Sequence, residues 1–277
     1  MKYCFFCLAI LLQSCIEQDK TIKIKGSDTE VNLAVELAES FHVMNPIVFV
    51  SISGGGSGLG IASLLNNTAD IANSSRSINE EEITLFQQKG IQIDSFIFAQ
   101  DAIAIVVAKD LPIDSISTND LAAVLSGKYS TWKSLANKDL PVNIYGRQSN
   151  SGTHDFVKDK LSIEFSRNAK EMNGNAQILE AIRADHSGIG YVGAGYVSHG
   201  GSKALKILPV YTQENKDAVS PLDAQKIAAG KYFFQRPLFQ YYKTSSYIKI
   251  KPFLDYEKGQ AGQSIIHSAG YYPLRKL

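Results

Sequence analysis

Three short stretches of the chain combine glycine with serine or threonine: Gly26-Ser27-Asp28-Thr29, Gly54-Gly55-Gly56-Ser57-Gly58 and Ser151-Gly152-Thr153. Each closes a predicted strand or loop and opens a predicted helix. The first turn of a helix exposes N–H groups that have no partner inside the helix, and the aligned peptide dipoles place about half a positive charge there. An oxyanion is stabilised at such a place without any cationic side chain. Glycine lets a ligand approach the backbone closely, and hydroxyl groups add donors that turn toward whatever acceptor arrives. A small tetrahedral anion, whose oxygens all accept hydrogen bonds, suits this set. Arg76, directly after Ser74-Ser75, and Arg147, just ahead of Ser151, add planar forks of donors matched to phosphate or carboxylate. Helix capping explains any one junction by itself, and Ser27 with Glu30 fits a capping box. Three junctions accompanied by two arginines point instead to an anion site.

The same residues fail the enzymatic motifs. No Gly-Lys-Ser/Thr follows the glycine cluster, which excludes a P-loop, and Gly54 to Gly60 misses the G-x-G-x-x-G spacing of dinucleotide binding. Leu59 stands where a G-x-S-x-G nucleophile elbow needs its last glycine. His42, His154, His186, His199 and His267 are scattered, with no metal-ligand spacing among them. His154 beside Thr153 reads as a polar residue at a helix start. A secreted phosphatase or hydrolase working through a Ser or Thr hydroxyl is the competing function, and the missing base and metal ligands weigh against it. No metal and no cofactor is expected.

The elements that must position these residues alternate between strand and helix. Thr21 to Lys25 alternates apolar and polar residues, and Val31, Ala34, Val35, Ala38 and Phe41 then fall at helical spacing. Ile47 to Ser53 is β-rich ahead of the glycine cluster, and Ile61, Leu64 and Leu65 mark one face of a short helix. Asn79–Lys89 makes a helix with Glu80, Glu81 and Glu82 in its first turn, where the dipole favours anions. Phe96 to Ala108 is a long apolar β segment. A second series follows: helices at Asn119–Ser126, Gly152–Leu161 and Ala176–Ala184, with strands at Val142–Tyr145, Ile189–Val192 and Ala204–Val210. Alternation of this kind predicts an α/β chain with a largely parallel sheet. The aromatic-rich strand Tyr232–Tyr242 reads as a return to a sheet begun early, ahead of two short helices at the C-terminus.

Composition bounds the remaining choices. The 277 residues carry 28 Lys plus Arg against 27 Asp plus Glu, a net charge of +1, with 44% hydrophobic residues and 20% charged ones. Disorder, collagen and coiled coil are excluded, and no basic field exists to hold nucleic acid. Lys2, an apolar run from Tyr3 to Leu12 and then Gln13-Ser14 form a secretory signal too short to span a bilayer, which needs roughly twenty apolar residues. Ser14-Cys15, directly after that run, resembles a bacterial lipobox, which makes Cys15 the lipidated N-terminus and the polar residues 15–19 a linker. Cys4 and Cys7 leave with the signal at 1–14, so the mature chain has no internal disulfide and holds together by its core.

An ordered series of segments resembles the PstS family, the phosphate-binding proteins of bacterial phosphate ABC transporters. It comprises Gly26 to Thr29, Gly54 to Ile61, Asp70 to Arg76, Asp101 to Val107, Leu125 to Trp132, Arg147 to Thr153 and Ile189 to Val192. The resemblance implies an α/β periplasmic-binding-protein clamshell. Each of its two lobes is a mainly parallel sheet flanked by helices, and hinge strands near Ala102–Ala108 and Phe234–Tyr241 join them. Lobe I is then residues 20–103 with 237–277, and lobe II is 104–236. The family's ligand contacts fall on Ser27, Asp28, Thr29, Ser57 and Ser75 from lobe I and on Arg147, Ser151, Gly152 and Thr153 from lobe II, with Arg76 beside them. Some relatives place an aspartate at the position of Ser75 to accept the proton that phosphate retains, and Asp28 is expected to serve instead here. The implied partners are inorganic phosphate, membrane permease subunits and, through Cys15, a membrane; the receptor is expected to be a monomer. Sulfate or molybdate is the alternative ligand.

Overall fold

A computed structural model describes residues 21–198 and 204–274. The signal, the linker and Cys15 lie outside the described residues. The strands are β1 (Ile22–Gly26), β2 (Val50–Ser53), β3 (Ile71–Ser74), β4 (Ile93–Ala108), β5 (Ile116–Ser117), β6 (Asn143–Arg147), β7 (Lys170–Met172), β8 (Gly188–Gly193), β9 (Leu205–Leu208), β10 (Val210–Tyr211) and β11 (Gln235–Lys243). The helices are α1 (Val31–Met44), α2 (Ser57–Leu65), α3 (Glu80–Gln88), α4 (Thr118–Leu125), α5 (Lys133–Ala136), α6 (Gly152–Leu161), α7 (Asn175–Arg183), α8 (Gly195–Ser198), α9 (Ala224–Ala228), α10 (Tyr247–Lys258) and α11 (Gln260–Ser268). Among the described residues no helix is long and apolar enough to cross a membrane.

One strand ties the molecule together. From Ile93 to Ala102, β4 pairs antiparallel with β11; from Ile103 to Val107 it pairs with β8. The first pairing belongs to lobe I, whose sheet runs β2-β1-β3-β11-β4, and the second to lobe II, whose sheet runs β4-β8-β6-β7 with β9 also on β4. The outer strands of each lobe are parallel, linked through helices as the alternating pattern requires, while β4 and β11 run antiparallel to their neighbours.

The two-residue period of a strand explains why β4 can be apolar throughout in lobe II. Ile103, Ile105 and Val107 face one core with Leu121, Val124, Trp132 and Phe234. Ala104 and Val106 face the opposite core with Ile178, Leu179 and Ile182 of α7. In lobe I, Ile22, Ile24, Phe98 and Leu238 pack against α1, α10 and α11 through Leu33, Leu37, Phe41, Phe253 and Ile266. The other face of that sheet takes Ile61 and Leu64 of α2 and Phe86 of α3.

Where the chain departs from the simple pattern, a contact is responsible. The helix expected from Thr29 begins as a 3₁₀ turn at Asp28–Glu30, and Ser27 makes no side-chain cap. The Tyr196 hydroxyl donates to the Asp28 carbonyl at 2.8 Å, and the Tyr271 hydroxyl donates to that of Thr29. The Asp28 carbonyl also accepts the Val31 N–H, three residues on, which is the 3₁₀ pattern. A capping box does exist at α3, where Asn79 and Glu82 exchange hydrogen bonds.

Candidate ligand-binding site

Parallel strands leave their helix-facing loops at their C-terminal ends, and there the glycine-rich junctions meet. Gly26 ends β1, the glycine cluster follows β2 and opens α2, Ser75 follows β3, and Ser151 caps α6 after β6. The first three belong to lobe I and the last to lobe II, so the two sets face each other across the cleft.

The lobes are in contact. Thr29 and Thr153 hydroxyl oxygens stand 3.0 Å apart. The Gly58 N–H donates to the Asn150 carbonyl at 3.1 Å, and Asn150 returns a bond from its amide to the Gly55 carbonyl at 3.0 Å. A methyl group placed on Gly152 would sit 2.4 Å from Ser57 Oγ and 2.7 Å from Ser75 Oγ, which is closer than any side chain tolerates. Ser57 Oγ in turn accepts the Ser75 N–H at 3.1 Å. Ser27, Thr29, Ser57, Ser75, Arg147, Ser151, Gly152 and Thr153 are all buried. Asp28 lies among them with its side chain 22% exposed.

The arginines divide into three situations. Arg147 is 2% exposed; it donates to Asp28 Oδ2 at 3.4 Å and to the Asn173 carbonyl at 3.1 Å, while its buried Nε has no partner. Burial pushes its pKa below the usual arginine value, with Asp28 opposing. An orphaned donor on a buried guanidinium costs about 1–3 kcal/mol; an anion in the cleft would satisfy it. Arg76 stands at the rim. It forks onto both carboxylate oxygens of Glu82 at 2.7 and 2.8 Å and sets Nε 3.0 Å from Asp155 of α6 as an ion pair, while that buried Nε makes no hydrogen bond.

Arg236 is the residue that motif reading missed. It is 2% exposed and is the direct cross-strand partner of Asp101, itself 1% exposed. Its Nε and Nη2 donate to Asp101 Oδ2 at 3.1 and 2.9 Å, Nη1 donates to the Ser75 carbonyl at 3.1 Å, and Nη2 reaches Thr29 Oγ1 at 3.2 Å and Thr153 Oγ1 at 3.0 Å. One cation on the hinge thereby holds hydroxyls from both lobes. Two signals were available: Asp101 is the lone charge inside the apolar run Phe96–Ala108, and Arg236 the lone charge in Tyr232–Tyr242. Charges in adjacent buried strands must pair.

Asp28 Oδ2 accepts three donors: Arg147 and, at 2.8 Å each, the backbone and side-chain amides of Asn175 at the start of α7. It joins the lobes, and Oδ1 is the carboxylate oxygen outside those bonds. Glu30, fully buried behind this loop, has its pKa raised well above the ordinary value by desolvation, against the pull of Arg236. His154 turns to Asp155 at 3.1 Å and to the Phe165 ring. A groove of about 700 Å³, lined in part by Arg76, Asp155, Lys158 and Lys160, borders the buried cluster at Ser75 and Arg236.

Two lobes joined through shared strands, with donors from both converging on one buried spot, define the two-lobed fold of a periplasmic binding protein. Residues 17–257 match the PBP superfamily domain. The chain is 30% identical to the phosphate-binding protein PstS of Pseudomonas aeruginosa, over 90% of this chain and 81% of that protein. It is 27% identical to PstS of Borreliella burgdorferi over 96% and 95%. Its fold matches an ABC-type phosphate transport receptor from Vibrio cholerae with a TM-score of 0.71 at 24% identity, covering 91% of this chain and 99% of that one. It matches a substrate-binding protein from Clostridium perfringens solved with bound phosphate with a TM-score of 0.82 at 23% identity, covering 92% and 100%. The chain belongs to the PBP superfamily and, within it, to the PstS-like branch.

Proposed function

We propose that the protein captures inorganic phosphate between its lobes and delivers it to the permease of a phosphate ABC transporter, with no chemistry of its own. The observation that carries this reading is the meeting of Thr29 and Thr153 hydroxyls over the buried Arg236, with the unpartnered Nε of Arg147 among the same set of donors. Because Arg236 only donates, both threonine oxygens accept from it. One hydroxyl proton serves the contact between them and the other is free for a ligand oxygen. In this reading phosphate takes donors from Ser27, Thr29, Ser57 and Ser75 on lobe I, 20–103 with 237–277, and from Arg147, Ser151, Gly152 and Thr153 on lobe II, 104–236. Arg76 works as a latch across the rim.

Magnitudes support the inventory. A micromolar site needs about 8 kcal/mol, and hydrogen bonds to charged groups contribute about 1.5–3 kcal/mol each. Four such contacts beyond the costs of association suffice. Asp28 Oδ1 accepts the proton that phosphate retains and sulfate lacks, which separates the two anions. The leader at 1–14 exports the chain and Cys15 carries the lipid that holds it, as a monomer, outside the cytoplasmic membrane.

Calorimetry of the mature chain against phosphate, sulfate and molybdate, with a phosphatase assay alongside, tests the reading. Phosphate is expected to bind with no turnover of phosphate esters. Tighter binding of sulfate or molybdate would transfer the site to another oxyanion, and ester hydrolysis would restore the enzyme. Asp28→Asn is expected to weaken phosphate while letting sulfate compete; unchanged rejection of sulfate removes Asp28 from selectivity.

A further inference from the structure

We infer that the end of lobe I opposite the cleft is a membrane-contact face, an apolar patch that the N-terminal tether holds against the lipid bilayer; this rests on the lipid anchor at Cys15 proposed above. Val43 is 81% exposed, Met44 58%, Ile47 66% and Phe49 58%, all within the last turn of α1 and the turn that leads into β2. The patch is built rather than frayed. The His42 ring lies 5.1 Å from that of Phe49, its Nδ1 sits 3.2 Å from the Val48 carbonyl, and the Val48 N–H donates to the Asn45 carbonyl at 3.0 Å. Large side chains exposed side by side mark a surface that meets an apolar partner.

Position in the fold selects that partner. The Ile22 N–H donates to the Phe49 carbonyl at 2.8 Å, so the patch borders the point where the chain enters the sheet. Whatever its path, the stretch from Cys15 to Ile22 reaches at most roughly 25 Å. A lipid on Cys15 therefore keeps the Phe49 backbone within about 30 Å of the headgroups. β1, β2 and β3 are parallel, and the anion site lies at their C-terminal ends while the tether and patch lie at the N-terminal end. Five residues of β1 separate the two by about 16 Å, so resting on lipid leaves the cleft open.

The same end carries more of what a bilayer surface selects. β11 runs antiparallel to β3 and pairs Tyr242 with Ile71, so the chain beyond it emerges here, where Ile248 is 89% exposed. The exposed Lys89, whose Nζ lies 3.5 Å from Asn66 Oδ1, adds charge of the sign that anionic lipid attracts. A second copy is the weaker occupant, because two copies tethered at this end stand side by side on one membrane and cannot meet end to end.

The test uses Cys15 itself. The chain from Cys15 onward has no other thiol, so coupling it to maleimide-phosphatidylethanolamine in phosphatidylcholine and phosphatidylglycerol vesicles installs the tether whatever a cell does. A Phe49→Trp reporter is compared with a Leu140→Trp reporter in lobe II, over the buried background of Trp132. Doxyl-labelled lipid is expected to quench the first at least about threefold more than the second, as burial of an apolar face at the headgroup boundary requires. Adding Val43→Glu and Ile47→Glu is expected to remove the difference and leave phosphate affinity unchanged. Equal quenching of the two reporters, or quenching that survives both glutamates, overturns the proposal. So does a dimer in sedimentation without vesicles that the glutamates abolish, since the patch then belongs to a second copy. Mass spectrometry of the exported chain reads the anchor separately: an unmodified Cys15 overturns the anchor, and the coupled vesicles still decide whether this face takes lipid.

Discussion

Arg147 and Arg236 are equally buried, yet their unused hydrogen-bonding capacity differs, and so should the result of removing each. Arg147 has an unpartnered Nε and only two contacts, to Asp28 at 3.4 Å and to the Asn173 carbonyl at 3.1 Å, whereas Arg236 spends its donors on Asp101, the Ser75 carbonyl and two threonine hydroxyls. Arg147→Met is therefore expected to act on binding. Losing one member of a buried charged pair costs about 2–5 kcal/mol, which calorimetry would read as a phosphate Kd raised at least about 30-fold. A rise below about threefold contradicts a ligand contact for Arg147. Arg236→Met is expected to act on the fold. It strands the Asp101 carboxylate, whose pKa burial already raises, and should lower unfolding free energy in urea by about 3–5 kcal/mol. Adding Asp101→Asn should recover part of that loss. If the two substitutions cost no less together than the sum of each alone, the pair is not coupled.

At the scale of elements, the start of α6 decides whether the lobes can meet. Gly152 has ordinary helical backbone, so alanine there favours the helix itself by up to about 1 kcal/mol. Its methyl group, however, would press on Ser57 Oγ and Ser75 Oγ from the other lobe. Gly152→Ala should thus keep or raise the melting temperature of the free protein while weakening phosphate at least about tenfold, or 1.4 kcal/mol. Small-angle scattering with saturating phosphate should show the wider, open shape. Undiminished affinity would mean that the cleft closes elsewhere. This division between helix and cleft also marks what sequence can show. The bounds of α6 and the apolar length of β4 follow from patterns that each segment carries alone. The 3₁₀ turn at Asp28 does not, because Tyr196 and Tyr271, distant in sequence, fix its carbonyls. Arg76 reads as a ligand donor from its serine neighbours in sequence, and its ion pairs with Glu82 and Asp155 appear only in space. The pairing of Asp101 with Arg236 required the register of β4 on β11, which no local motif encodes.

Across the whole molecule, the pairs that hold the lobes together and the charges buried inside them respond to solution conditions differently. The Arg76–Asp155 contact is partly exposed, with side chains 13% and 33% accessible, so Asp155→Asn should speed phosphate release only severalfold, about 1 kcal/mol, and added salt should shrink the difference. Glu257 is another matter. It is fully buried in lobe I, accepting from Gln240 at 3.0 Å, and burial lifts its pKa to about 8 from an ordinary 4.5. The folded protein keeps a proton there that the unfolded chain releases above about pH 4.5. The stabilisation is complete below that pH and is lost as pH rises through about 8, to the extent of up to roughly 5 kcal/mol. Glu30, raised by the same cause, acts in the same direction. Melting temperature should therefore fall between pH 5 and pH 8.5, and Glu257→Gln, neutral at every pH, should flatten that fall and exceed the parent at its alkaline end. A parent curve that rises toward pH 8, or a glutamine variant with the parent's slope, would show that Glu257 is already ionised in the folded protein.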